Sequence, residues 1–234
     1  MEGSRGLGDV YKRQIEICAT SLESITNAQN AGAHRIELCE KHSIGGITPS
    51  KDFLVKAFEI IKIPTNVLIR PRGGNFIFSD REIEIMIDQI NFFKNFKING
   101  FVIGFINNNN SLDKHILNEF RKITNGYELT FHRAFDFLDN PQESIELLIE
   151  NRYDRILCSG NNKSAEEGLE NLRKFNKISN GRIIIMPGGG INLNNFKDFK
   201  DSSFSEIHLS AINYLNSPHS DFNIIKEIVE SSNQ

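Results

Sequence analysis

Residues 15–39 read IEICATSLESITNAQNAGAHRIELC. A short apolar run, Ile15–Ala19, gives way at Thr20-Ser21 to a segment of helical period, Leu22–Ala31, which stops at Gly32 and is followed at once by a second short run, Arg35–Cys39. Strand, helix and strand at this spacing form the repeating unit of a parallel sheet, because parallel neighbours need a crossover between them. The alternation recurs along the whole chain. Further strands are expected near Asn66–Arg70, Phe101–Phe105, Glu128–Arg133, Arg155–Ser159, Arg182–Met186 and Glu206–Ser210. Helices are expected near Lys51–Ile61, Asp80–Phe96, Leu112–Ile123, Pro141–Glu150, Ala165–Ile178, Leu193–Phe199 and Phe222–Glu230.

Eight such units in 234 residues fit the length of one closed α/β barrel, about 200 to 250 residues. The fold class is therefore α/β, a single-domain (β/α)8 TIM barrel. A doubly wound open sheet would carry a glycine-rich turn after its first strand. Here that turn is Ala19-Thr20-Ser21, and the glycine-rich run instead follows the seventh strand. No nucleotide cofactor is expected. Residues 1–14, MEGSRGLGDVYKRQ, lack apolar periodicity, and DVYKRQ is what a transposon-end sequencing adapter encodes in translation, so this segment is expected to be non-native or disordered. The barrel is then residues 15–234.

With 27 basic against 30 acidic residues the net charge is −3, which leaves no electrostatic footprint for nucleic acid or an anionic membrane. A small ligand is the expected partner, and self-association into a homo-oligomer is compatible with the composition. Three widely spaced cysteines and no secretory signal pattern fit reduced thiols in the cytoplasm.

Strand side chains alternate between faces, so positions of one parity project into the barrel mouth. That parity is polar: Glu16 and Cys18, Glu37 and Cys39, Arg70 and Arg72, Thr130 and His132, His208 and Ser210. The other parity is mostly Ile, Leu, Val and Phe, which suits packing under the helices. Glu16 and Glu37 are expected to be compensated by Arg70 and Arg72, since buried charge is costly unless paired. Such a network can fill a core, but at the C-terminal face of a barrel it also forms sites. Cys18 and Cys39 end adjacent strands at matching positions. Two thiolates suit copper(I), although buried cysteines also serve as small core residues. The run Pro187-Gly188-Gly189-Gly190 offers bare N–H groups for an anion, or a plain tight turn.

The strings Glu16-Ile17-Cys18, AHRIELC (33–39), GGITPS (45–50), IRPRGG (69–74), FSDRE (78–82), TFHRAFD (130–136) and MPGGGI (186–191) resemble those of the CutC copper homeostasis family, in order and spacing, from about Ile15 to Ala211. The resemblance implies a (β/α)8 barrel, a cytoplasmic location, and a role in copper trafficking or tolerance. It also implies copper(I) held by Cys18 and Cys39. The sequence departs where relatives carry Ser-Ala-Arg after the eighth-strand His: here Ser210-Ala211-Ile212 follows Leu209, and one basic group at the mouth is missing. A competing expectation is a barrel enzyme acting on a small phosphorylated or carboxylated metabolite. In it Arg70, Arg72, Arg133, His208 and Gly188, Gly189 and Gly190 bind the ligand, with Glu16 beneath, and Glu37 or His132 is the general acid/base.

Overall fold

The structure, a computed structural model, describes residues 13–233. Eight parallel strands alternate with eight helices: β1 (Gln14–Ala19), α1 (Leu22–Asn30), β2 (Arg35–Leu38), α2 (Lys51–Ile60), β3 (Thr65–Leu68), α3 (Asp80–Phe93), β4 (Gly100–Ile103), α4 (Lys114–Ile123), β5 (Glu128–Phe131), α5 (Pro141–Glu150), β6 (Arg155–Cys158), α6 (Leu169–Ser179), β7 (Ile184–Pro187), α7 (Phe196–Lys200), β8 (Glu206–Leu209) and α8 (Phe222–Ser232). Each strand pairs with its sequence neighbours from β1 to β7, β8 pairs with β1, and β7 lies against β8 to complete a nearly closed ring. This is the TIM barrel that the alternation implies.

Local chemistry sets the element ends. Ser21 caps α1 by accepting the Ser24 N–H, and Gly32 makes the exit turn at φ +86°. Ser79 and Glu82 form a reciprocal capping box on α3, whose buried stripe is Ile83, Met86, Ile90 and Phe93. Helical spacing alone would also admit Ile87 to this stripe, but Met86 is fully buried and Ile87 only partly. The helix before β7 starts at Leu169 rather than Ala165. Gly160 and Gly168 pack backbone to backbone there, so closely that a Cβ on Gly168 would lie 1.8 Å from the Ser159 carbonyl oxygen. β3 ends at Leu68, because Arg70 is drawn into pairing with Thr48, accepting the Thr48 N–H and donating its own N–H to the Thr48 hydroxyl.

The barrel begins earlier than the expected boundary at residue 15. Gln14 opens β1 opposite Glu206, and the Arg13 guanidinium donates to the carbonyls of Lys200, Ser202 and Phe204. The rest of the expected N-terminal segment, residues 1–12, lies outside the described residues.

Outward strand positions, among them Ile15, Ile17, Ile36, Val67, Phe101, Phe131, Ile156 and Ile207, are buried beneath the helices in one continuous apolar shell. Cys158 belongs to that shell, on the opposite face of the sheet from the other two cysteines. Removing a ring such as Phe131 from it would cost about 3–5 kcal/mol.

Candidate functional site

Inside the ring the strands contribute a polar layer. Arg35 bridges the carboxylates of Glu16 and Glu206, and Arg155 continues the chain from Glu206 (3.0 Å) to Glu128 (2.9 Å). Asn66 donates to Glu16 at 3.4 Å. This differs from the expected compensation by Arg70 and Arg72, and the reason is height. Glu16 stands beside Arg35 across the β1–β2 register and beside His208 across β1–β8, whereas Arg70 lies beyond the end of β3. The layer closes the barrel from below and forms the floor of the mouth.

Above it, Glu16 Oε1 holds His208 Nδ1 at 2.8 Å, which turns His208 Nε2 toward Glu37, 3.8 Å from its carboxylate. Cys18 and Cys39 sit at the same level with their sulfurs 3.2 Å apart, both buried and in contact with Leu68 and Val102. Cys18, Glu37 and Cys39 each offer a ligand atom within 4.8 Å of the others, as do Glu16, Glu37 and His208.

Electrostatics divides these groups. Burial alone would raise Glu16, but Arg35 and His208 outweigh it and hold the carboxylate well below its ordinary range. Burial would likewise lower His208, yet Glu37, Cys18 and Glu16 together hold it well above the usual imidazole value. Glu37, without a guanidinium of its own, is pushed up to about 8, chiefly by burial and despite His208. In the thiol pair the hydrogen bond from Cys39 drives Cys18 down, with His208 helping, and the same bond drives Cys39 up. The pair therefore gives up its first proton readily and keeps the second.

The walls of the mouth come from the loops. Gly104 makes room for the His132 ring, since a Cβ there would lie 2.2 Å from Nδ1. His132 Nδ1 accepts the Ala134 N–H at 3.1 Å, and burial followed by repulsion from Arg70 lowers the imidazole to about 3. The ring is thus neutral, with its proton on Nε2, and it serves as a hydrogen-bond donor rather than as a base near neutral pH. Arg70 spends its guanidinium on the carbonyls of Ile44, Gly45, Gly46 and Gly74 and lies over Phe76. It is a brace for two loops. Arg72 points away from the mouth, held by Glu82 at 2.5 Å and the Ile77 carbonyl. At the rim the Tyr214 hydroxyl meets His42 Nδ1 at 2.7 Å and joins the loops after β2 and β8.

The result is a cavity of about 430 Å³ lined by Cys18, Glu37, Cys39, Arg70, His132, Arg133, Gly189, Gly190 and His208. Gly188 lies just below, against Leu157 and His208, and Glu16 lies in the charge layer that forms the floor. Arg35, Arg155 and Glu206 complete the floor; Arg35 shares its parity with Glu37 and Cys39, and Glu206 with His208, but a charged residue early in a strand does not by itself mark a site. His42, Phe76 and Tyr214 reach the mouth from loops, where no periodicity marks them.

A TIM barrel whose C-terminal mouth holds paired thiols above a buried charge layer defines the class. The CutC family profile matches residues 13–213. This chain belongs to the CutC family. It is 40% identical over 198 residues to the human copper homeostasis protein cutC homolog, covering 84% of this chain and 72% of that one. It is 39% identical over 202 residues to a CutC family protein of Pasteurella multocida, covering 86% and 83%. The crystal structure of a CutC protein from Streptococcus agalactiae superposes with a TM-score of 0.79 at 30% identity, covering 85% of this chain and 98% of that one. An aldolase, QR15, shares the barrel (TM-score 0.69) at 15% identity, which speaks to fold alone. Among the described residues no helix is long and apolar enough to cross a membrane.

Proposed function

We propose that this chain binds copper(I) between Cys18 and Cys39 and serves cytoplasmic copper homeostasis by carrying or sequestering the ion. The observation that carries the reading is the 3.2 Å separation of two buried sulfurs that both face the barrel mouth. Soft thiolates are the donors that favour copper(I), and none of the three cysteines is bridged. The pair already releases one proton readily, so admission of a cation displaces only the second. With metal–sulfur bonds of about 2.3 Å, a linear two-sulfur site needs the sulfurs to part by on the order of 1 Å. The open side of the pair toward the cavity allows that movement. Glu37 is near enough to follow the ion as a third donor.

The test is titration of the reduced protein with copper(I) against a competing chelator. One ion per chain is expected, with Cys18→Ser and Cys39→Ser each weakening binding by roughly a hundredfold or more, since half the soft donors are lost. Cys158→Ser should leave affinity unchanged. Equal affinity in either of the first two variants would overturn the assignment.

A further inference from the structure

We propose that the mouth above the two cysteines is a binding site for a small phosphomonoester. Its phosphoryl group would rest on the Gly189–Gly190 turn and Arg133, and a carbonyl or hydroxyl oxygen would take the hydrogen bond of His132 Nε2. The inference is independent of copper binding and concerns different side chains.

Five observations carry it. The cavity of about 430 Å³ is of the size that small ligands occupy. Gly189 and Gly190, at φ +103° and +81°, line it, and among the described residues their N–H groups have no acceptor within the protein. Arg133 packs flat against Gly189, so tightly that a Cβ there would lie 3.0 Å from the guanidinium. Its Nε is held by Asp136 and its Nη2 by the Ser159 hydroxyl, which fixes the group and leaves Nη1 beside the turn. His132 lines the cavity at 4% exposure; its Nδ1 is engaged as an acceptor, and its Nε2 is buried without a partner. Arg70 Nε, on the same wall, is a second buried donor without a partner.

A buried donor without an acceptor is costly, and native proteins rarely leave two on one cavity wall unless water or a ligand satisfies them. On this wall donors predominate, which is the complement of an oxyanion. Backbone N–H groups together with a guanidinium arm suit the three terminal oxygens of a phosphoryl group better than the two of a carboxylate. The uncharged imidazole adds no second cation, so it fits a neutral oxygen further along the ligand. This places the anion on Arg133 rather than on Arg70 and Arg72, whose guanidiniums are committed to loop carbonyls and to Glu82.

The experiment uses the copper-free, reduced full chain, with inorganic phosphate, glycerol 3-phosphate and lactate as probes, followed by calorimetry and by the imidazole ¹⁵N resonances. Saturable binding of both phosphate probes is expected, tighter for the ester. The ester should move the His132 Nε2 resonance. Arg133→Gln should weaken binding by about tenfold or more, Arg133→Lys by less, and Cys158→Ser, in the shell under the helices, not at all. Absence of saturation by either phosphate probe, preference for lactate, or unchanged affinity in a folded Arg133→Gln variant would overturn the proposal. If neither Arg133 variant folds, the native His132 signal decides, and a resonance indifferent to the saturating ester would overturn it.

Discussion

Replacing Arg35 with Met should destabilise the barrel by about 3–5 kcal/mol, the usual cost of removing one partner from a buried ion pair. Arg35 is the sole residue bridging Glu16 to Glu206 among the described residues, and its side chain is 8% exposed. Methionine keeps much of the volume, so the loss is electrostatic. For a domain of this length each kcal/mol lowers the melting temperature by about 2–4 °C, which gives a fall of roughly 6–20 °C near neutral pH. The sign of the pH dependence follows from Glu16. In the native protein its pKa is depressed, so the stability it supplies is complete above the ordinary carboxylate value and lost as pH falls through the folded value. Without Arg35, burial dominates and raises it, so the variant carries a penalty at neutral pH that protonation relieves. The gap between the two proteins should therefore narrow toward acid. Thermal unfolding followed by circular dichroism at about pH 7.5 and about pH 5 measures both. A melting temperature unchanged at the higher pH, or a gap that widens toward acid, would refute the charge-layer reasoning.

His132 should stay unprotonated in ¹⁵N NMR spectra down to about pH 4, because burial and then Arg70 hold it near 3. Its folded pKa lies below the ordinary value, so its contribution to stability is complete above about pH 6.5 and is lost as pH falls from there. His132→Gln should flatten that limb of the stability profile. Gly104→Ala should cost about 1–3 kcal/mol in chemical denaturation and shift the His132 resonances, since the new methyl would fall 2.2 Å from Nδ1. Timed alkylation with mass mapping at neutral pH should modify Cys18 before Cys39, as the thiolate is the nucleophile. Cys158, closed in the shell under the helices, should react only on unfolding.

Much of this architecture can be read from the chain. Period-two runs at Ile15, Arg35 and Arg155, separated by capped helices, specify strands and their faces, because one face must be apolar and the other is plainly not. Parity alone brings Glu16, Cys18, Glu37, Cys39, His132 and His208 to one interior. It does not give height. Arg70 and Arg72 share the correct parity but lie past the end of β3, where the backbone turns to meet Thr48 and the alternation rule lapses. The partners of Glu16 depend on the stagger between strands, which no single strand encodes. His42 and Tyr214 meet across the mouth from two loops whose approach is fixed only by ring closure.

In the proposed function the two sulfurs above the charge layer act together on one soft ion. X-ray absorption at the copper edge of the stoichiometric copper(I) complex tests it most directly. Scattering dominated by two sulfur neighbours, reduced to one in Cys39→Ser, is the expected result. A first shell of nitrogen or oxygen donors, or a two-sulfur shell that persists in that variant, would contradict it.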